Sequence, residues 1–309
     1  MAANPFLAPK ARPLVVGHRG LPALHQENTL AGFRRAVELG IPAVELDVRL
    51  TKDRKAVVCH DPDLSRLTGH ARAVHDLTWD EIAKLRIRRS LPMGIDAHGA
   101  RKVIHYEREE RIPLFAEVLA TVPELAINVE LKLDLQRWWP LEVAAVTADL
   151  ITEAGAGDRV IVTSFDPRKL RAAIRTTPGL AIGFCFDDTM LDFARPLLDR
   201  LPIRGPDGEI RRNARRVLTA MLDANLIGRL LGTHLVGAEH TLVGARTVER
   251  LHAAGVAIGT HTLFPLGSTT GKPIAPSAMT EAEVHRLVAL NVDWIETDDA
   301  ERLMPLVHG

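Results

Sequence analysis

The strongest constraint on this chain is an alternation. Short apolar runs rich in Val, Ile and Leu recur along it, most of them followed by a stretch with helical spacing. The runs are Leu14–Val16, Ile41–Val44, Leu125–Leu131, Val160–Ser164, Leu180–Phe186, Leu235–Ala238, Val256–Thr262 and Trp294–Thr297. Runs of this length, bounded by Gly, Pro or charged residues, read as buried strands. Helical spacing spans 27–40, 114–119, 141–154, 167–175, 245–254 and 280–290, with a mostly helical section over about 187–232 that breaks at 201–208. Eight strands alternating with helices in 309 residues predict one α/β domain over 1–309, a TIM (β/α)8 barrel. One more apolar run, Ala56–Cys59, would make nine strands, which do not close in the usual way. The polar Thr51–Lys55 before it reads as a hairpin turn, so this run is expected to fold back antiparallel on the second strand.

Three polar strings end apolar runs in the first sixty residues: Gly17-His18-Arg19-Gly20, Glu45-Leu46-Asp47 and Cys59-His60-Asp61. Barrels of this kind carry their chemistry at the carboxyl ends of the strands. For a hairpin centred near Lys52 and Asp53, opposing residue numbers sum to about 105. That predicts His60 across from Glu45. Glu45 and Asp47, two apart on a strand, face the same way. Asn28 is expected to cap the first helix and Gly40 to close it. The stretch over about 61–111 is expected to be an excursion above the strand ends, too rich in Arg, His and Gly to be core.

Composition excludes some functions. Lys plus Arg equals Asp plus Glu at 39 each, so no overall field draws the chain to nucleic acid. No run reaches the roughly 18 apolar residues of a membrane-spanning helix, and residues 1–12 lack the apolar stretch of a secretory signal. Cys59 and Cys185 sit in apolar runs and read as buried, reduced thiols. A cytoplasmic protein is the expectation; its oligomeric state stays open.

The ordered strings His18-Arg19-Gly20, Glu27-Asn28-Thr29, Glu45-x-Asp47, Thr51-Lys52-Asp53 and His60-Asp61 resemble the glycerophosphodiester phosphodiesterase family. Glu130-Leu131-Lys132, Ser164-Phe165 and Thr297-Asp298 resemble that family's later motifs, so the likeness runs from Leu14 to Leu303. From the residues alone, Glu45, Asp47 and Glu130 could equally pair with Lys132 and Arg19. The resemblance implies that these three carboxylates bind one divalent cation, Mg²⁺ or Ca²⁺ by their hardness and Mn²⁺ less so. It further implies that His18 and His60 are the general acid and base, with either order open, and that Arg19 and Lys132 hold the substrate phosphate. Glu27 and Asp61 are expected to support them.

The implied reaction is hydrolysis of a small glycerophosphodiester to an alcohol and glycerol phosphate. A lysophospholipid substrate, cleaved as by a lysophospholipase D or by cyclisation, is the second enzymatic reading; Trp138-Trp139-Pro140 would then meet an acyl chain. A phosphate-ester-binding barrel without catalysis is the third. The chain departs from the family where a Trp-Thr-Val-Asn-like string usually ends the seventh strand. Gly259-Thr260-His261-Thr262-Leu263 stands there instead, which makes His261 a candidate for substrate choice. The run Arg211–Arg216 reads as a solvated helix face.

Overall fold

The computed structural model describes residues 4–132, 141–194, 213–269 and 273–309. Eight parallel strands form its centre: β1 Leu14–Gly17, β2 Ala43–Leu50, β3 Ala126–Leu131, β4 Val160–Ser164, β5 Ile182–Phe186, β6 Leu235–Glu239, β7 Ala257–Leu263 and β8 Trp294–Thr297. Each pairs with the next, and β8 pairs with β1. Closure leaves no open edge, and the architecture is the TIM barrel that the alternation predicts. Ile41 and Pro42, read as strand, precede β2.

Helices between the strands form the outer layer, and their ends follow the local chemistry. The first, α1 Leu30–Glu38, is capped by Thr29, whose hydroxyl accepts from Gly32 N at 3.3 Å. Asn28 does not cap it. Gly40, at a φ of +69°, does follow its last turn, and its N–H bonds to Val37 O at 3.0 Å. Outward-facing strand residues such as Leu46, Val48 and Val129 are buried under this layer.

Inward-facing residues pack in levels. The lowest level is apolar: Ala43, Ala126, Ile161, Leu235, Ala257 and Trp294 cluster with Phe6, which is fully buried. The Phe6 and Trp294 rings meet edge to face at 5.6 Å. Gly259 is there because Trp294 needs the room: a Cβ at 259 would lie 1.7 Å from the indole Cε2. Further along β2 and β3 the inward register turns polar, with Glu45 beside Asn128, then Asp47 beside Glu130 beside Thr163 of β4.

Three local expectations are corrected. The arm Ala56–Val58 does return antiparallel, but it pairs Val48 with Val58 and Leu50 with Ala56. That register sets Leu46, not Glu45, level with His60. The loop is one of three residues, closed by Thr51 N to Lys55 O at 3.0 Å with Arg54 left-handed at a φ of +62°, which moves its centre to Asp53. The second correction concerns the excursion after β2, which has a core of its own. Val57, Cys59, Leu64, Leu67, Leu77, Ile87 and Leu91 are buried together, and two antiparallel pairs, 63–64 with 70–73 and 90–95 with 101–105, frame them. Its apolar residues arrive singly, one per turn among charges, so no local average reveals them. A helix over Ala300–His308, with Pro305 inside it, follows β8.

Last, the basic run is not simply a solvated face. Arg215, on the helix Asn213–Asp223, is half-buried and donates to the carbonyl of Thr241 beyond β6. Arg211 and Arg212 lie outside the described residues, as do the predicted break at 201–208 and Trp138-Trp139-Pro140.

Candidate active site

His18, Glu45, Asp47, Glu130 and Asp298 come to one mouth of the barrel because parallel strands deliver their carboxyl ends to one side, and His60 joins them from the antiparallel arm. The turn after β1 is tight. Arg19 is left-handed at a φ of +55° and Gly20 follows at +87°, with the Phe33 ring 3.2 Å from where a Cβ would stand. This turn locks onto β2: Arg19 N donates to Glu45 Oε2 at 2.7 Å, and Gly20 N to Glu45 O at 3.2 Å.

Glu45, Asp47 and Glu130 come together, each offering an oxygen within 4.8 Å of the others. Glu45 and Asp47 are buried, and Glu45 Oε1 has no hydrogen-bond partner. Asp47 Oδ1 lies 3.2 Å from Lys132 Nζ without being aligned for a hydrogen bond. Burial, together with Asp47, Glu296 and Glu130 nearby, pushes the Glu45 carboxyl well above its ordinary range. Asp47 goes the other way. Burial would raise it too, but Lys132, His60 and Arg19 outweigh that and hold it ionised. An orphaned carboxylate oxygen among converging acidic oxygens is a donor set that fits a hard divalent cation. Asn28 orients it, donating from Nδ2 to Asp47 Oδ2 at 2.7 Å. That is the work of Asn28 in place of the cap.

Lys132 bridges Asp47 and Glu130, with Nζ 2.8 Å from Glu130 Oε1. Burial opposes its charge, but Glu130 and Asp47 prevail and keep it protonated. Arg19 lies alongside, Nε 3.6 Å from Asp47 Oδ2 and Nη1 3.1 Å from Glu27 Oε1. Glu27 is fully buried between two guanidiniums, since Arg66 donates to both its oxygens at 2.8 Å. Burial raises the Glu27 carboxyl, yet Arg19 and Arg66 bring it down to about 2.

The two imidazoles are built alike. His18 Nδ1 lies 2.6 Å from Asp298 Oδ1, and His60 Nδ1 lies 2.8 Å from Asp61 Oδ1. A carboxylate only accepts, so each Nδ1 carries the proton and each Nε2 is left for other work. His18 Nε2 is 3.9 Å from Glu45 Oε2. Burial, with Arg19 and Lys132 adding to it against Asp47 and Asp61, lowers His60 to about 4. His60 is therefore neutral at pH 7. Asp61 also accepts from Arg66 Nε at 2.6 Å.

A cavity of about 370 Å³ opens over these groups, lined by His18, Arg19, Glu130 and Lys132 among others. His261 lines it as well, on the far side, with its ring edge-on to Phe165 at 6.1 Å. The loop beyond β7 forms part of the rim, and the excursion after β2 clasps it through Ile95 N to Ser268 O at 3.0 Å. Asp298 ties this rim to the imidazole, since its second oxygen accepts from Leu266 N at 2.8 Å.

Sequence reasoning missed Arg66, Asp298 as the His18 partner, and Glu296, which accepts from Asn128 Nδ2 at 2.7 Å beneath the mouth. Asp298 had a signal, as the polar residue just past β8. Arg66 had none, being one Arg among many in the excursion.

Residues 18–302 match the Glycerophosphoryl diester phosphodiesterase family. A glycerophosphodiester phosphodiesterase of Caldanaerobacter subterraneus subsp. tengcongensis is 35% identical over 177 residues, 57% of this chain and 67% of that one. The mouse lysophospholipase D GDPD1 is 35% identical over 119 residues, 38% of this chain and 36% of that one. An Oleispira antarctica phosphodiesterase, solved in complex with the product sn-glycerol-3-phosphate, superposes with a TM-score of 0.65 at 19% identity and covers 96% of both chains.

Proposed function

The chain belongs to the glycerophosphoryl diester phosphodiesterase family, and from that premise we propose that it hydrolyses small glycerophosphodiesters to an alcohol and glycerol phosphate in a reaction that needs a divalent cation. One observation carries the reading: Glu130 lines a cavity with Arg19, Lys132 and His18, and the buried Glu45, with its orphaned oxygen, and Asp47 each bring an oxygen within 4.8 Å of it. A cation held by Glu45, Asp47 and Glu130 would supply Lewis-acid charge to a phosphoryl oxygen.

The remaining work falls to side chains. Arg19 offers a planar fork and Lys132 a point charge to the phosphate oxygens, where charge grows in the transition state. Held neutral, His60 takes a proton at Nε2 from the attacking water or substrate hydroxyl. As the new P–O bond forms and the old one breaks, His18, which enters this step as the doubly protonated imidazolium, gives its Nε2 proton to the departing alkoxide and keeps the one on Nδ1. Asp61 and Asp298 keep each Nδ1–H engaged, so both imidazoles present Nε2 throughout. Glu27 and Arg66 fix Arg19 from behind.

The lysophospholipase D among the relatives supports a second reading with a lipid substrate. The deciding assay offers glycerophosphodiesters and lysophospholipids separately, with Mg²⁺, Ca²⁺ or Mn²⁺ and then with chelator, and identifies both products. Glycerol phosphate and free alcohol from the soluble diesters, abolished by chelator and restored by the ion, are expected. Turnover that survives full chelation would refute the metal role. Cleavage of lysolipids alone would replace the soluble substrate.

A further inference from the structure

The two imidazoles at the mouth hang from different kinds of backbone. His18 follows β1 directly, and its N–H donates to Thr297 O of β8 at 2.8 Å, a rung of the closed barrel. His60 follows the arm Ala56–Val58, which returns antiparallel along β2 and is no part of the closed ring. Pairing along that arm ends with Val58 opposite Val48, and Cys59 N to Asp47 O at 2.9 Å is its last rung. Among the described residues, no main-chain rung follows at His60.

The next link is a side chain. Arg49 stands on β2 two residues beyond Asp47, so both side chains leave the same face of the strand. Its Nε and Nη2 both donate to the His60 carbonyl oxygen, at 2.9 and 2.7 Å. A carbonyl has two lone pairs and a guanidinium presents its N–H groups in a rigid planar fork, so the two bonds fix direction as well as distance. Arg49 is 9% exposed, so little water competes for them, and a charged donor makes them strong.

The bond between His60 Nδ1 and Asp61 does different work. Asp61 is the next residue of the same loop, so that bond fixes the ring relative to the loop, not the loop relative to the barrel. Arg66, on the helix Ser65–Thr68 of the excursion, ties Asp61 to Glu27 and so to the Arg19 side of the site. Arg49 ties the loop to the strand that carries Asp47, and so sets the imidazole against the carboxylate cluster.

We infer that Arg49 is a positioning residue for His60: its fork on the His60 carbonyl holds the imidazole where Nε2 meets the proton of the nucleophile. The inference rests on the reading of His60 as general base and adds the group that places it. Proton transfer needs heavy atoms about 2.6–3.2 Å apart, and a misplacement of about 1 Å costs on the order of 10²-fold in rate.

The test is a double-mutant cycle. Arg49→Met keeps a long side chain and removes both donors. It should lower kcat by about 10–10²-fold, with KM and metal affinity, read by titration calorimetry, near wild type. In the His60→Ala background the same substitution should cost nothing further, because that variant keeps the carbonyl that Arg49 holds and lacks the ring it places. Arg49→Lys, a charged donor without the fork, should fall between wild type and Arg49→Met. Its own cycle with His60→Ala decides the question if Arg49→Met does not fold. Wild-type kcat in the Arg49 variants, a loss that multiplies with that of His60→Ala, or a metal affinity that falls along with kcat overturns this inference and leaves the phosphodiesterase reading intact. If His60→Ala turns over like wild type, the reading of His60 as base fails and this inference with it.

Discussion

The two ends of the barrel are built from the same eight strands and do opposite things. At the closed end, Phe6, Ile161 and Trp294 fill the interior with apolar volume, and Phe6 and Trp294 meet edge to face. At the open end, Glu45, Asp47 and Glu130 crowd together although burial and mutual repulsion push Glu45 toward its neutral form. One end stores stability, and the other holds groups that would rather separate. A closed sheet permits this because inward side chains alternate by level, so a polar level can sit on an apolar one without interrupting the strand pairing.

The sharpest way to break this division is at the imidazoles. His18→Ala and His60→Ala should each lower kcat by about 10²–10⁴-fold, the usual share of proton transfer. The double variant should lose less than the product of the two, since groups acting in one step are not additive. Thermal melting should barely move. A variant with wild-type turnover would remove that histidine from the mechanism.

The mirror experiment is Phe6→Ala at the closed end. Emptying a fully buried aromatic site should cost about 3–5 kcal/mol in denaturant unfolding, while kcat and metal affinity measured well below the new melting point stay near wild type. If metal affinity fell in step with stability, the two ends would not be separable as argued.

A smaller effect of mixed sign is expected for Glu45→Gln. Metal affinity, read by titration calorimetry, should drop by at least about tenfold. In chelator the melting temperature should hold or rise, because a buried like-charge contact is gone. Lower stability without metal would mean that Glu45 is structural first.

The smallest effect concerns acid. Glu27 is held at about 2 by Arg19 and Arg66, against an ordinary 4.5. A depressed carboxyl contributes stability that is complete above the unfolded value and lost as pH falls through the folded one. Wild type should therefore lose stability between about pH 4.5 and pH 2 in excess of Glu27→Gln. At neutral pH the same substitution should cost stability, because an amide leaves two guanidiniums short of charge. Parallel melting curves for the two proteins across the acid window would contradict the placement of Glu27.

Much of this molecule was written in its local sequence. Eight apolar runs and the helical stretches after them specified the barrel, since periodicity depends only on neighbours in the chain. Because parallel strands end on one side, the sequence alone places strings such as Glu45-Leu46-Asp47 and Glu130-Leu131-Lys132 at one mouth. The family resemblance then assigned them work. Local reading failed where a partner comes from far away. Asp298 meets His18 across 280 positions and Arg66 meets Glu27 across 39, pairings that only closure and the fold of the excursion create. Phe6 is an unremarked residue in a Pro-rich segment until the barrel supplies a floor for it to plug. A single left-handed residue, Arg54, moved the hairpin by one position and took His60 off the level of Glu45. Sequence determined which chemical groups reach the mouth. Tertiary structure decided which of them touch, because hydrogen bonds and ion pairs act over a few ångströms in space whatever their separation along the chain.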